Sequence, residues 1–179
     1  MKNILIISSS PRHKSNSEAL CDEFMRGATE TGNSVEKLRL ADYTIGFCNG
    51  CDLCSTYGKP CPQKDDAAQI IEKMISADVI VLATPLYFYA MSAQLKTLID
   101  RCCGLYTRIS DKEFYCIVTA ADNAPEQAER AVTNIGGFFD CLSGATLKGT
   151  VYGLGVWHAG EIAGNYALTE AYRMGAEVK

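Results

Sequence analysis

The sequence predicts an α/β fold in which a parallel β-sheet carries α-helices on both of its faces. Short continuous apolar runs alternate, five times over, with longer stretches whose apolar residues recur every three or four positions. Continuous runs are typical of strands buried on both faces, and the longer stretches are typical of amphipathic helices. A length of 179 residues and an apolar fraction of 47% suit one domain, covering residues 1–179, with a substantial core.

Five segments have the composition of buried strands. The clearest contains the uninterrupted apolar block Val79-Ile80-Val81-Leu82-Ala83, and the weakest has only Val35, Leu38 and Leu40 as apolar residues. In chain order the predicted strands are Asn3 to Ser8, Val35 to Leu40, Asp78 to Thr84, Phe114 to Thr119 and Leu147 to Leu154.

Helices are predicted where the apolar residues have helical spacing. Gly32-Asn33 ends the first helix, and Asp65-Asp66 opens the second, because acidic groups favour the positive N-terminal end of a helix. Gly136-Gly137 is expected to bend or loosen the fourth. The predicted helices are Ser17 to Thr31, one that begins at Asp65, Ser92 to Tyr106, Pro125 to Leu142 and Asn165 to Met174.

Composition and charge exclude several classes of function. A formal net charge of −4 argues against a nucleic-acid partner, which requires a basic face. No apolar stretch reaches the roughly 18 residues of a membrane span. The apolar run after Asn3 is too short for a signal peptide, so the nine cysteines are expected to be reduced thiols in the cytoplasm. With two histidines in the chain, a Ser-His-Asp hydrolytic site is not expected.

The loop after the first strand is a candidate anion site. Ligands of parallel α/β sheets bind outside the carboxyl ends of the strands. Here the run from Ser8 to Ser17 brings hydroxyls, the Asn16 amide and the Arg12 guanidinium to a helix N-terminus, where free N–H groups and the helix dipole favour anions. The alternative is a polar loop in which Ser15 or Ser17 caps the helix.

This loop resembles the phosphate-binding segment of NADPH-dependent FMN reductases. The run Ser9-Ser10-Pro11-Arg12, followed by Ser15-Asn16-Ser17, is similar to that family's G-S-P-R-x-x-[GS]-N-[ST] pattern, with Ser9 replacing the usual glycine. The resemblance implies a flavodoxin-like three-layer fold whose five-stranded parallel sheet has the order 2-1-3-4-5. It also implies that FMN is the cofactor, with its phosphate held by Ser10, Arg12, Asn16 and Ser17.

Two later loops carry the resemblance further. The stretch Thr84 to Ser92, continued by Leu95-Lys96 and Ile99-Asp100-Arg101, is similar to the family's T-P-x-Y…S…LK…iDR segment. In the family this loop surrounds the isoalloxazine ring, which assigns that role to Pro85, Leu86, Tyr87 and Phe88. By position, the loop with Thr119, Ala120 and Asp122 would flank the other side of the ring. The alternative for the aromatic residues is a core edge or a subunit interface. Lys96 and Asp100 have the spacing of a surface pair, and Arg101 is expected to be solvated as well.

Four cysteines form a compact C-x2-C-x2-C-x6-C motif: Cys48, Cys51, Cys54 and Cys61. Four thiolates at such spacing can surround an iron–sulfur cluster. The motif resembles that of the iron–sulfur flavoproteins, a branch of the same family in which a [4Fe-4S] cluster relays electrons to FMN. Cluster-free members carry a similar run with a matching glycine and Asp-Asp pair, present here as Gly50 and Asp65-Asp66. A metal-free structural or redox thiol loop is therefore the favoured interpretation, with the cluster as the alternative.

Three functions follow from these patterns. The first is an NAD(P)H oxidoreductase that uses FMN to reduce a flavin, a quinone or a similar small electron acceptor. The second is an iron–sulfur flavoprotein that receives electrons from ferredoxin. The third is a thiol-based sensor or binding module without turnover. No catalytic acid or base is predicted, because the flavin carries the chemistry. The family resemblance also implies a homodimer or homotetramer.

Overall fold

A computed structural model describes residues 1–179. It has six β-strands and five α-helices, which are joined by loops and three short 3-10 turns. The strands are β1 (Asn3–Ser8), β2 (Ser34–Arg39), β3 (Val79–Tyr87), β4 (Ala90–Met91), β5 (Glu113–Thr119) and β6 (Thr146–Gly153). The helices are α1 (Asn16–Glu30), α2 (Ala67–Ser76), α3 (Ala93–Arg101), α4 (Pro125–Phe139) and α5 (Tyr166–Ala176).

The sheet confirms the predicted parallel architecture. Five strands pair in the spatial order β2-β1-β3-β5-β6, with every pair parallel. Apart from the labels this is the expected 2-1-3-4-5 order. The sixth strand, β4, was not predicted: it pairs antiparallel with the end of β3, where Leu86 opposes Met91 and Tyr87 opposes Ala90. It forms a two-residue hairpin whose turn residues are Phe88 and Tyr89, outside the main sheet.

Helices cover both faces of the sheet because adjacent residues of each buried strand point to opposite sides. Leu5 and Ile7 of β1 join one core cluster with α2, α3 and α4, whereas Ile4 and Ile6 join a second cluster with α1 and α5. The three-layer prediction is thus confirmed. None of the five helices combines the length and the apolar composition that crossing a membrane requires.

Two helices differ from the sequence prediction, α3 in where it ends and α4 in its continuity. Helix α3 ends at Arg101 and continues as 3-10 turns over Cys102–Gly104 and Tyr106–Arg108, so the predicted helix to Tyr106 is too long. Helix α4 passes through Gly136-Gly137 without interruption, and the expected loosening there is wrong. A Cβ atom at either glycine would meet nothing within 4 Å, so both positions lie on an open helix surface.

Candidate functional site

A pocket of about 300 Å³ opens at the carboxyl ends of β1, β3 and β5. This is where parallel α/β sheets bind their ligands. Four loops line it, and they follow β1, β3, β5 and β6. The lining residues are Ser10, Arg12, Ser15, Asn16, Ser17, Pro85, Leu86, Tyr87, Thr119, Ala120, Ala121, Val156, Trp157 and Ala159. Nine of the eleven residues predicted to bind the cofactor are among them.

The first loop supplies the polar end of the pocket. Ser15 is the N-cap of α1, and its Oγ accepts a hydrogen bond from the Glu18 N–H at 3.2 Å. The same Oγ lies 3.2 Å from the Ser17 Oγ, and the Ser10 Oγ accepts the Arg12 N–H at 3.3 Å. The capping alternative is therefore correct for Ser15, and it coexists with a cluster of hydroxyls at a helix N-terminus.

Arg12 and Asn16 connect this loop to the last one. The Arg12 guanidinium donates to the Trp157 carbonyl at 2.5 Å. The Asn16 amide nitrogen donates to the His158 carbonyl at 2.8 Å, and its oxygen accepts the Ile162 N–H at 3.2 Å and the Gly160 N–H at 3.0 Å. The Asn16 side chain, predicted to contact phosphate, is thus committed to holding the last loop against α1.

Glu161 fixes the backbone of the same loop. Its carboxylate accepts the N–H groups of Trp157 at 2.7 Å and His158 at 2.9 Å. The hydrogen bond from His158, followed by that from Trp157, lowers the pKa of Glu161 below its ordinary value. The carboxylate is therefore ionised at neutral pH and holds Trp157 at the mouth of the pocket.

The second loop is held in place by buried hydroxyls. The Thr84 Oγ1 accepts the Ser92 N–H at 2.9 Å, and the Ser92 Oγ donates to the Ser9 Oγ at 2.8 Å. Ser9 in turn donates its hydroxyl to a carbonyl of β3 at 2.8 Å. Because all three side chains are buried, these hydrogen bonds fix the ring loop relative to the first loop. Ser9, at the position where the family has glycine, takes part in two of these three hydrogen bonds.

Two predicted residues lie outside the pocket wall. Phe88 is fully exposed at the hairpin tip, with a φ of 51°, and Tyr89 beside it has a φ of 59°. Asp122 accepts the Tyr89 hydroxyl at 3.1 Å and the Ala124 N–H at 2.9 Å. The hydrogen bond to Asp122 raises the pKa of Tyr89 above its ordinary value. This contact joins the hairpin to the loop after β5, so Asp122 positions the two loops relative to each other.

The pocket has two chemically distinct ends. Arg12 is the only charged residue in its lining, and it lies among hydroxyls at the start of α1. The end formed by the loop after β3 has Pro85, Leu86 and Tyr87, which present apolar and aromatic surface. An anion fits the first end and a flat apolar ring fits the second. The residues therefore fit the phosphate and the isoalloxazine ring of FMN. Three lining residues of the last loop, Val156, Trp157 and Ala159, were not in the predicted set.

Residues 43–66, the cysteine loop, are held by one buried ion pair. Arg101, at the end of α3, contacts Asp65 at 2.5 Å, and their side chains are only 3% and 10% exposed. The expectation that Arg101 is solvated is wrong. Its Nη1 also donates to the Gly46 carbonyl at 2.8 Å, and its Nη2 contacts the Cys61 sulfur at 3.5 Å. The neighbouring pair Lys96–Asp100 is exposed as predicted, at 2.6 Å.

The four motif cysteines do not converge in this conformation. No group of three or more Cys, His, Asp or Glu side chains is arranged to hold a metal ion. Cys61 lies against Arg101, whereas Cys54 packs against Gly104, the residue that follows Cys103. Partial burial, then the nearby Cys54 and Cys48, raise the pKa of Cys103. The donor set has the right chemistry for an iron–sulfur cluster, but this arrangement does not fit one.

Comparison with known proteins places these features in a family. The family described as NADPH-dependent FMN reductase matches residues 2–159. An iron-sulfur flavoprotein of Methanocaldococcus jannaschii is 43% identical over 98 residues, which are 55% of this chain and 50% of that protein. The chain thus matches about half the length of this relative. The Bacillus subtilis protein YwqN, whose name describes an NAD(P)H-dependent FMN-containing oxidoreductase, is 26% identical over 96% of this chain and 95% of its own.

Solved structures show the same fold. An NAD(P)H:quinone oxidoreductase from Methanothermobacter marburgensis superposes with a TM-score of 0.76, at 17% identity and with 99% of both chains covered. Identity this low supports a shared fold and no shared substrate. The flavodoxin-like prediction is thereby confirmed.

Proposed function

Because the chain belongs to the NADPH-dependent FMN reductase family, we propose that it is an FMN-dependent NAD(P)H oxidoreductase that reduces a small acceptor such as a flavin or a quinone. The observation that supports this most directly is the divided pocket at the carboxyl edge of the sheet. One end carries Arg12 and hydroxyls at a helix N-terminus, and the other carries apolar and aromatic side chains. A phosphorylated, flat, aromatic cofactor matches both ends at once.

When bound, FMN would supply the redox chemistry, which is hydride uptake from a nicotinamide and electron transfer to an acceptor. The residues of the chain bind the cofactor and orient it. Ser10, Ser17 and Arg12 hold the phosphate with hydroxyls and a positive charge. Pro85, Leu86 and Tyr87 pack against the ring, and the small residues Thr119 and Ala120 allow close approach of the backbone on its other side.

The binding role is tested by comparing FMN with riboflavin, which lacks the phosphate. In Arg12→Ala we expect FMN affinity to fall about 10- to 100-fold, the usual worth of a charge-assisted hydrogen bond, with riboflavin affinity nearly unchanged. Quenching of flavin fluorescence measures both constants. Arg108→Ala, which removes an exposed arginine paired with Glu72, is the matched control and should change neither. Equal losses for both ligands would exclude a phosphate contact at Arg12.

Turnover is tested anaerobically on the FMN-loaded protein. Addition of NADPH or NADH should bleach the oxidised-flavin absorbance, and subsequent addition of a quinone or free flavin should restore it. The faster nicotinamide identifies the electron donor. Absence of bleaching with either one would reject the reductase function while leaving FMN binding intact.

A second candidate is an iron–sulfur flavoprotein, for which ferredoxin would be the electron donor. The similarity to the iron-sulfur flavoprotein of M. jannaschii and the intact cysteine motif favour the iron–sulfur cluster. It requires the cysteine loop to rearrange, with Cys54 leaving Cys103 and Cys61 leaving Arg101. Iron analysis of anaerobically purified protein decides it: about four irons per chain fit a cluster on four thiolates, and iron-free protein rejects it.

We also propose that the chain forms a homodimer or a homotetramer. Phe88 and Trp157, beside the pocket, are exposed aromatic residues of the kind that subunit contacts bury. Light scattering at several protein concentrations tests this, and a monomer at all concentrations would reject it.

A further inference from the structure

Cys103 is outside the C-x2-C-x2-C-x6-C motif, yet it lies next to Cys54, the third cysteine of that motif. It lies in the 3-10 turn that follows α3, beside Gly104, and the Cys54 side chain packs against the backbone of this turn. Neither residue is fully buried: Cys103 is exposed and Cys54 is partly so. A small reagent can therefore reach both sulfurs from solvent.

The backbone beside Cys103 confirms the close approach. A Cβ atom placed on Gly104 would lie 2.6 Å from the Cys54 Cβ and 3.2 Å from its sulfur. Only a glycine leaves room for Cys54 at this point. A disulfide needs two backbones within a few ångströms and side chains directed at each other. The glycine contact brings the two backbones together and places the Cys54 sulfur against the turn that carries Cys103.

The rest of the loop is held in a way that keeps Cys54 there. Arg101 anchors the loop at Gly46, Cys61 and Asp65, on either side of Cys54. The contact is thus part of a loop fixed at several points to the end of one helix. Oriented proximity of this kind raises the effective concentration of one thiol for the other.

We propose that Cys54 and Cys103 form a redox site in which a hydroperoxide converts the two thiols into a disulfide between the cysteine loop and the end of α3. Cys54 attacks the hydroperoxide, so that an S–O bond forms, the O–O bond breaks and an alcohol leaves with the thiol proton. The Cys103 sulfur then attacks the oxidised sulfur, forming the S–S bond and releasing water with its own proton. Two thiols lose two electrons, and the hydroperoxide is reduced to alcohol and water.

The site is independent of FMN chemistry, because both sulfurs lie outside the pocket lining. It also uses Cys54 in a way that excludes the same sulfur from binding metal. Dithiol reductants restore the pair by thiol–disulfide exchange.

The test uses the FMN-loaded protein as isolated, reduced and then treated with one equivalent of cumene hydroperoxide per chain. After alkylation of free thiols and digestion, mass spectrometry should find a peptide pair joined through Cys54 and Cys103, reversible by dithiothreitol. Cys103→Ser should lower the yield of disulfide at least tenfold, and Gly104→Ala should lower it several-fold by displacing Cys54. Cys141→Ser, which removes an exposed cysteine elsewhere, should leave the yield unchanged.

Three outcomes would overturn the proposal: a disulfide confined to Cys48, Cys51, Cys54 and Cys61; overoxidation of single cysteines without a cross-link; or an unaltered yield in Cys103→Ser. Flavin fluorescence recorded on the same samples separates these outcomes from loss of FMN.

Discussion

Arg101 and Asp65 join the end of α3 to the cysteine loop through an ion pair that is almost inaccessible to solvent. The Asp65 carboxylate also accepts the N–H groups of Gly46 at 2.8 Å and Ala67 at 3.2 Å. One carboxylate therefore fixes the start of the loop, the first residue of α2 and the last residue of α3. Removing one partner of such a buried ion pair destabilises the folded protein, because the other charge is left buried without a counter-charge.

Removal of the arginine alone should be strongly destabilising. We expect Arg101→Met to lower the free energy of unfolding by about 3 kcal/mol, because Asp65 is left charged, buried and unpaired. Lys96→Met, one turn earlier on the same helix, removes an exposed pair with Asp100 and should change it by less than about 1 kcal/mol. Urea denaturation measures the free energy of unfolding of both variants. Equal losses would show that the buried pair stabilises the protein no more than the exposed one.

Acid should remove the contribution of the same pair. The hydrogen bond from Arg101 lowers the pKa of Asp65 to about 2, from an ordinary value of 3.8. Because the folded-state pKa is the lower one, this stabilisation is complete above the ordinary value and disappears as the pH falls towards 2. The difference in unfolding free energy between the wild type and Asp65→Asn should therefore be constant near neutral pH and shrink between about pH 4 and pH 2. A difference that stays constant throughout would contradict the assignment.

Asn16 should control the order of the last loop. In Asn16→Ala three hydrogen bonds to the loop are lost, and we expect stability to fall by about 2 kcal/mol. Amide hydrogen exchange should accelerate at Gly160 and Ile162. The amides of β1 should still exchange only through global unfolding of the variant, so their exchange rates should follow its overall stability. Asn134→Ala, on the exposed face of α4, serves as the control. Unchanged exchange at Gly160 would mean that Asn16 does not hold the loop.

Two glycines in helices should respond oppositely to alanine. In Gly175→Ala the new Cβ would collide with the Phe24 carbonyl where α5 crosses α1, so we expect a loss of about 2 kcal/mol. In Gly137→Ala the Cβ meets nothing within 4 Å, and stability should rise by about 0.5–1 kcal/mol through improved helix propensity. Thermal unfolding of both variants tests this, and a gain at Gly175 would show that the helices have room to separate.

The main sheet was predictable because its signal is local. Uninterrupted apolar runs such as residues 79–83 leave few alternatives to a buried parallel strand. The hairpin of β4 was missed because its turn residues, Phe88 and Tyr89, lack the glycine or asparagine that normally marks two positive φ angles. A local pattern thus failed where the chain adopts a strained conformation.

The site was predictable in its position and less so in its contacts. The motif residues of the first and second loops line the pocket, because each loop follows a predicted strand end. The partners of Asn16 and Arg101 were not predicted for another reason: Gly160 and Asp65 lie in loops without periodicity. The positions of these residues in the sequence do not indicate that they are in contact, because the contacts depend on how the loops fold in the tertiary structure.

Helix α3 joins two places where chemistry is proposed. Its first end is capped by Ser92, which is hydrogen-bonded to Ser9 beside the pocket, and its last residue is Arg101, next to the thiol pair. At a rise of 1.5 Å per residue, nine residues make a rod about 14 Å long. The same helix therefore links the ring loop, through Ser92, to the cysteine loop, through Arg101.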